Sequence, residues 1–315
     1  MNKSLAALLL LLGLMAVMLS GCYGEWDMKK LGTVKFETNT YEITRDFSNL
    51  SIKVDTAHVS LLPSEDGSCR VVCYEQKKVK HEVRAADGTL TVNVRDTRKW
   101  YNYIGVSFQT ARICIYLPKA QYAALSVKGS TGDTSIPAGF TFESIDVSAS
   151  TGNVSCFADC PGTLRIKLST GDITLSGVSA SEVSLSVSTG TTAVSDLRCA
   201  SLSARGSTGG ITLQGVHAQG TLFIKRSTGK VNLLACTAGE LTVRTDTGKV
   251  ALDGCDAGRI SIETDTGDVK GTLLSEKIFI TKTDTGKINV PKTVTGGICE
   301  ITTDTGDIRI ELCAP

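Results

Sequence analysis

Apolar and polar residues alternate with a period of two through most of the chain. Ile173 and Leu175, Val231 and Leu233, Val250 and Leu252, and Ile308 and Ile310 stand two apart, with small or polar residues between. A second set does the same: Leu164 and Ile166, Val183 and Leu185, Leu241 and Val243, Ile260 and Ile262. Runs of this kind, rich in Val, Ile and Thr, predict half-buried strands. No 3.6-residue stripe runs through them, which argues against leucine-rich and helical-pair repeats. A Thr-Gly corner frames each pair of runs. The glycines are Gly132, Gly152, Gly171, Gly190, Gly209, Gly229, Gly248, Gly267, Gly286 and Gly306, at gaps of 19 or 20 residues. A fixed period near 20 marks a solenoid, in which each repeat is stable only against its neighbours. The fold class expected is all-β: a single-stranded parallel β-helix or β-solenoid with coils of 19–20 residues. Ten such coils, stacked at a strand spacing of roughly 4.8 Å, make a rod on the order of 45–50 Å long.

Stacking places equivalent residues in ladders. Val231, Val250 and Val269 form one, Leu233 and Leu252 another, and each buried side chain contributes roughly 1.5–3 kcal/mol. The coil that starts at Gly267 is off-pattern. Gly271 stands where leucine is expected, and Ile278-Phe279-Ile280 slips the alternation by one, so a bulge or bend is predicted there. Leu50–Pro63 aligns with the repeats if Ala57 stands for the corner glycine. Arg70–Tyr74, Leu90–Val94 and Arg112–Leu117 read as further strands, and Asp87-Gly88 signals a hairpin turn. The N-terminal part is therefore expected to form the first coils and an irregular β cap.

The first 22 residues have another character. Lys3 precedes an apolar run, Leu5–Leu19, too short for a comfortable membrane span. The run closes on Leu19-Ser20-Gly21-Cys22, which resembles a bacterial lipobox. That resemblance implies cleavage after Gly21, a diacylglyceryl thioether on Cys22 as the lipid attachment site, and a mature protein held at the extracytoplasmic face of the cell membrane. Two acyl chains give a stable anchor where one is marginal. The domain expectation is a lipoprotein signal peptide at 1–21, a tether at 22–40, an irregular β region at 41–127 and the Thr-Gly solenoid at 128–315. Export permits disulfides among the other ten cysteines. Their spacing is not that of a disulfide scaffold. Cys236, Cys255 and Cys313 each lie seven past a corner glycine, which suits either stacked core thiols or a bridge.

Charge is balanced, with 33 Lys and Arg against 32 Asp and Glu, so nucleic acid is not an expected partner. Aromatics make up only 5%, too few for a deep aromatic pocket. Candidate chemistry centres on a column of acids, Asp246, Asp265, Asp284 and Asp304, each just before Thr-Gly. Such a column fits calcium or sugar binding. It also fits Asx-turns, since earlier coils carry serine there, and that interchange favours the turn. Uniform coil length leaves no inserted loops to wall a cleft. No Cys-x-x-Cys pair exists, and His58, His81 and His217 are scattered, so no metal, cofactor or catalytic residues are expected. Trp100-Tyr101-Asn102-Tyr103 is the one aromatic cluster and suits a partner or glycan contact, or a cap.

Taken in order, the leader, the irregular β segment with Ile115-Tyr116-Leu117-Pro118 and the serial Ser-Thr-Gly-Asp-[Ile/Val] repeats look like the bacterial putative-adhesin family of unknown function, also called toast-rack domains. The resemblance covers about Tyr41 to the C-terminus. It implies a right-handed β-helix-like fold at the cell envelope and no established enzyme activity. The expected role is a structural or interaction module, adhesin-like or linked to envelope stress, with a protein or a cell-wall or host glycan as partner. The alternatives are a calcium-assisted carbohydrate-active β-helix enzyme and a self-assembling surface protein.

Overall fold

The computed structural model describes residues 35–98 and 110–313. Two compact units are distinguished, and these residues fall in the larger, Lys35–Tyr103 with Thr110–Pro315. Every regular element described is a strand. The expected signal peptide, Cys22 and the Trp100–Tyr103 cluster lie outside the described residues.

Each regular coil has a short strand after the corner glycine, such as Ile173–Ser176, and a long one that bends through a second corner, such as Ser179–Thr189. Both pair in parallel with their equivalents in the next coil, Ile173 with Thr192 and Val183 with Leu202. Inward residues make continuous aliphatic ladders. Val231, Val250 and Val269 are in register and buried, as are Leu233 and Leu252.

The corner glycine has a steric cause. Gly171 sits at φ +134°, and a Cβ there would lie 2.0 Å from the carbonyl oxygen of Gly152. Gly190 meets the Gly171 carbonyl in the same way, at 1.9 Å. Each corner thus packs its backbone against the backbone of the corner before, and only hydrogen fits between them. Ala57 occupies this position in the first coil, with its carbonyl against Gly132. Just past the glycine, side chains bridge coils. Asp133 Oδ1 accepts from the Asn153 amide (2.8 Å), Asn153 Oδ1 from Asp172 (2.9 Å) and Asp172 Oδ1 from Thr191 (2.7 Å).

Coil order departs from chain order at both ends. Asn49–Lys53 lies between Gln121–Thr131 and Thr89–Asp96, parallel to both. Antiparallel strands then close this end. Val79–Ala86 folds back on Thr89–Asp96 through Asp87 and Gly88, both at positive φ. Cys69–Gln76 pairs with Ala111–Leu117, and Phe36–Ile43 pairs with Cys69–Gln76. Strand Phe36–Ile43 reaches into the stretch expected to be tether. At the other end Gly297–Thr305 inserts between Val250–Thr266 and Lys277–Thr285. The Gly286 coil, not the last in sequence, is therefore outermost.

The off-pattern coil is irregular where expected. Register shifts between Leu252 and Cys255 opposite Gly271 and Leu273. Phe279 faces inward opposite Cys299, which leaves Ile278 and Ile280 exposed. Cys313 leaves the cysteine column for the same reason: Leu273, one residue early, pairs with Cys255 on one side and Leu312 on the other.

Candidate binding groove

The second corner of the coil is built from small residues. Cys160, Ala180, Cys199, Ala218, Ala238 and Ala257 stack in register across six strands. The difference between 19- and 20-residue coils is absorbed here, with register shifts after Cys160, Cys199 and Ala218. Small side chains and a loosened ladder leave a groove of about 600 Å³ running across several coils. Uniform coils were expected to leave no cleft. The concavity arises by subtraction of side-chain bulk, without inserted loops.

Polar residues line this apolar floor. Asp159, Ser179, Arg198 and His217 precede the small residues in successive coils, and Gln219 lies beside them. Arg198 and His217 are register partners on adjacent strands. Asp159 Oδ1 accepts from the Ser179 amide (2.9 Å), and His217 Nδ1 is paired with Thr237 Oγ1 (2.8 Å). Arg198 makes no ion pair among the described residues. A fork of unpaired guanidinium donors beside an imidazole suits a carboxylate, phosphate or sulfate group, or the hydroxyls of a sugar. Asp159 is the one carboxylate among the lining residues. Glycoside hydrolysis in most families uses two facing carboxyl groups, so the groove is furnished for binding rather than for that chemistry.

The sequence model described as Toastrack DUF4097 matches residues 47–236 and 220–314. The chain belongs to the Toastrack DUF4097 family. Solved structures are similar to this chain. A putative adhesin from Parabacteroides distasonis ATCC 8503 is 14% identical, with 88% of this chain and 98% of that one covered and a TM-score of 0.50. A putative adhesin from Bacteroides fragilis NCTC 9343 is 18% identical, covering 75% and 97%, at a TM-score of 0.47. A putative lipid binding protein from Parabacteroides distasonis ATCC 8503 is 13% identical, covering 89% and 98%, at 0.42. At such identities the likeness speaks for the fold alone. No curated protein matches the chain.

Within this toast-rack frame the acid column stands as a column, in the order Asp246, Asp265, Asp304, Asp284 set by the neighbouring threonine pairs. Its side chains are exposed. Among the described residues Asp246, Asp265 and Asp304 make no hydrogen bond or ion pair, and Asp284 meets only Lys282 Nζ at 3.2 Å. The expected Asx-turns are therefore absent at this position. At this corner the bridging role falls to the residue after the glycine, whose side chain reaches the next coil's amide. Asp268 shows the effect: the Asp307 amide, Lys270 and Lys249 hold its carboxyl down at about 2.

Among the described residues eight of the ten cysteines are buried free thiols, and Cys114 and Cys313 are half-buried. Cys236 and Cys255 occupy equivalent positions in adjacent coils, both free and inaccessible. The hydrogen bond to Cys255 and burial raise the Cys236 thiol, and burial pushes Cys156 and Cys299 up to about 12.

Two polar features escaped the sequence pattern. Arg226 replaces an aliphatic inward residue and is fully buried. Its guanidinium occupies the space left by Gly206, where a Cβ would lie 1.4 Å from Nη1. It donates to the carbonyls of Val187 (3.2 Å), Gly190 (2.8 Å) and Gly210 (3.1 Å). The signal was available: a glycine and an arginine stand 20 residues apart at one inward position. The other feature is a buried Glu75–His81 pair at the N-terminal end, with Nδ1 and Oε2 2.7 Å apart.

Proposed function

We propose that this chain is a non-catalytic interaction module, lipid-anchored through Cys22 at the extracytoplasmic face of the cell membrane. Its binding face is the small-residue groove, and its partner is an extended envelope or host glycan bearing anionic groups. The observation that carries this reading is the side-by-side placement of Arg198 and His217 on the groove floor. A groove that crosses stacked coils presents donors at strand spacing, which suits a polymer better than a compact substrate. The Leu19–Cys22 stretch supports the anchor. The adhesin names carried by related folds agree with the role.

Two arms test it. Cells fed a clickable fatty acid should label the wild type and not Cys22→Ala. Purified protein should bind acidic envelope polysaccharide, and Arg198→Ala should weaken binding roughly 10- to 100-fold, the worth of a charge-assisted hydrogen bond. Equal binding by wild type and an Arg198→Ala/His217→Ala double variant would remove the groove from the account.

A second reading, self-assembly, rests on Ile278, Ile280 and Ile298, exposed beside the free edge of the outermost strand. Lys282, Lys287 and Pro291 flank that edge and blunt it. Light scattering at high concentration decides: a strict monomer discards this reading.

A further inference from the structure

We propose that Cys73, Glu75 and His81 form a binding site for a zinc-class divalent cation at the N-terminal end of the solenoid. Cys73 and Glu75 are two residues apart on Cys69–Gln76, so both face inward, in line with Cys69 and Val71 of the core. The chain then turns through Lys77 and Lys78 and returns antiparallel, with Val79 paired to Gln76. His81 of Val79–Ala86 points back at them. All three residues are buried, and their ligand atoms lie within 4.8 Å of one another. Tetrahedral bonds of roughly 2.0–2.3 Å place ligand atoms about 3.3–3.7 Å apart. Closing on a cation takes side-chain shifts on the order of 1 Å.

The donor set is selective. Thiolate, imidazole and carboxylate together suit zinc and similar transition ions, and not the all-oxygen preference of calcium or magnesium. Charge also balances: a thiolate and a carboxylate neutralise a divalent ion, so the closed site buries no net charge among its ligands. Binding displaces the Cys73 thiol proton to solution, and the His81 proton moves from Nδ1 to Nε2. Surrounding groups hold the ligands in place as an outer shell does. Glu75 accepts from Asn39 Nδ2 at 2.6 Å and from the His81 amide at 2.6 Å, with Lys80 Nζ 3.8 Å away. Tyr41 donates to the His81 carbonyl at 3.2 Å.

Three protein ligands leave a fourth position. His81 also lines a cavity of about 120 Å³ that reaches Thr56 and Gln76, room enough for water. A water from that cavity completes the tetrahedron. The cation would join the strand pair Cys69–Gln76 and Ala111–Leu117 to the pair Val79–Ala86 and Thr89–Asp96, beyond their single Gln76–Val79 pairing, and so pin the two strand pairs where the solenoid is closed.

The probes are zinc and cobalt(II), added to the full-length chain purified in detergent. The expected results are one retained equivalent of zinc after dialysis, a raised Tm, and a thiolate-to-cobalt absorption band. Cys73→Ser should abolish the band, while Cys299→Ser, at another buried cysteine, should leave it. If Cys73→Ser does not fold, His81→Gln, with folding verified by circular dichroism, should cut metal retention at least tenfold. Sub-stoichiometric zinc in the folded wild type, or a cobalt band that survives His81→Gln, would overturn the proposal.

Discussion

The two ends of the stack are closed by different means. At the N-terminal end the first coil is covered by a later one, and antiparallel strands complete the cover. A buried polar knot of Glu75, His81 and Asn39 lies inside it. At the C-terminal end the chain tucks its last coil inward and leaves the Gly286 coil as an edge, with Ile278, Ile280 and Ile288 exposed. Between the ends, one rule repeats: glycine corner on glycine corner, aliphatic residue on aliphatic residue. Repetition stabilises the middle, where every coil has two neighbours. An end coil has one, and each end meets that loss in its own way.

Substitutions that separate middle from ends sharpen this contrast, and the largest effect belongs to the middle. Gly171→Ala forces a Cβ to 2.0 Å from a backbone carbonyl, and backbone cannot step aside. We expect a loss of about 3 kcal/mol or more. Gly177→Ala in the same coil has positive φ (66°) and nothing within 4 Å of its added carbon, so it should cost only about 1–2 kcal/mol. Equal Tm losses in the two variants would break the corner rule.

Next in size is the C-terminal edge. Lys277 is buried there and donates to Asp256 Oδ1 at 2.6 Å and Ser275 Oγ at 2.5 Å. Lys277→Met keeps the length and removes the charge. Because Asp256 is partly exposed, we expect about 2 kcal/mol rather than the 3–5 of a fully buried pair. Hydrogen exchange should quicken in Lys277–Thr285 and Ile288–Asn289 and stay unchanged in Ile173–Ser176. Uniform quickening would mean that edge and middle unfold as one.

The smallest effect is an acid limb. The Asp268 carboxyl is held at about 2 in the fold, chiefly by the Asp307 amide, against about 3.9 in an unfolded chain. A depressed carboxyl contributes stability that is full above the unfolded value and lost as pH falls through the folded one. The wild type should therefore lose Tm between about pH 4 and pH 2. Asp268→Asn should show a shallower fall in that window, and an unchanged slope would refute the assignment.

Much of the fold was legible in the sequence wherever its rule is local. Ala57 as a stand-in corner, the Asp87-Gly88 hairpin and the slip at Ile278–Ile280 each follow from side-chain alternation or turn chemistry. Coil order at the ends was not legible. Periodicity says which residues face inward and is silent on which coil is neighbour to which, so the insertion of Gly297–Thr305 left no trace. The groove was hidden because its signal is a column of small residues, which reads as filler. His81 looked isolated because its partners lie six and eight residues back, on the preceding strand across a turn.

The most direct test of the turned-in end is a pair of engineered crosslinks. Ser261 and Glu300 are register partners on adjacent parallel strands, and Ile280 lies one strand further out, opposite Glu300. Neighbouring strands bring Cα atoms to roughly 4.8 Å, within the reach of a disulfide, whereas two strands span about 9.6 Å, beyond it. Peptide mapping under oxidising conditions should find the bridge in Ser261→Cys/Glu300→Cys and none in Ser261→Cys/Ile280→Cys. The opposite result, a bridge at 261 and 280 only, would mean that the coils stack in chain order and that the end is not turned in.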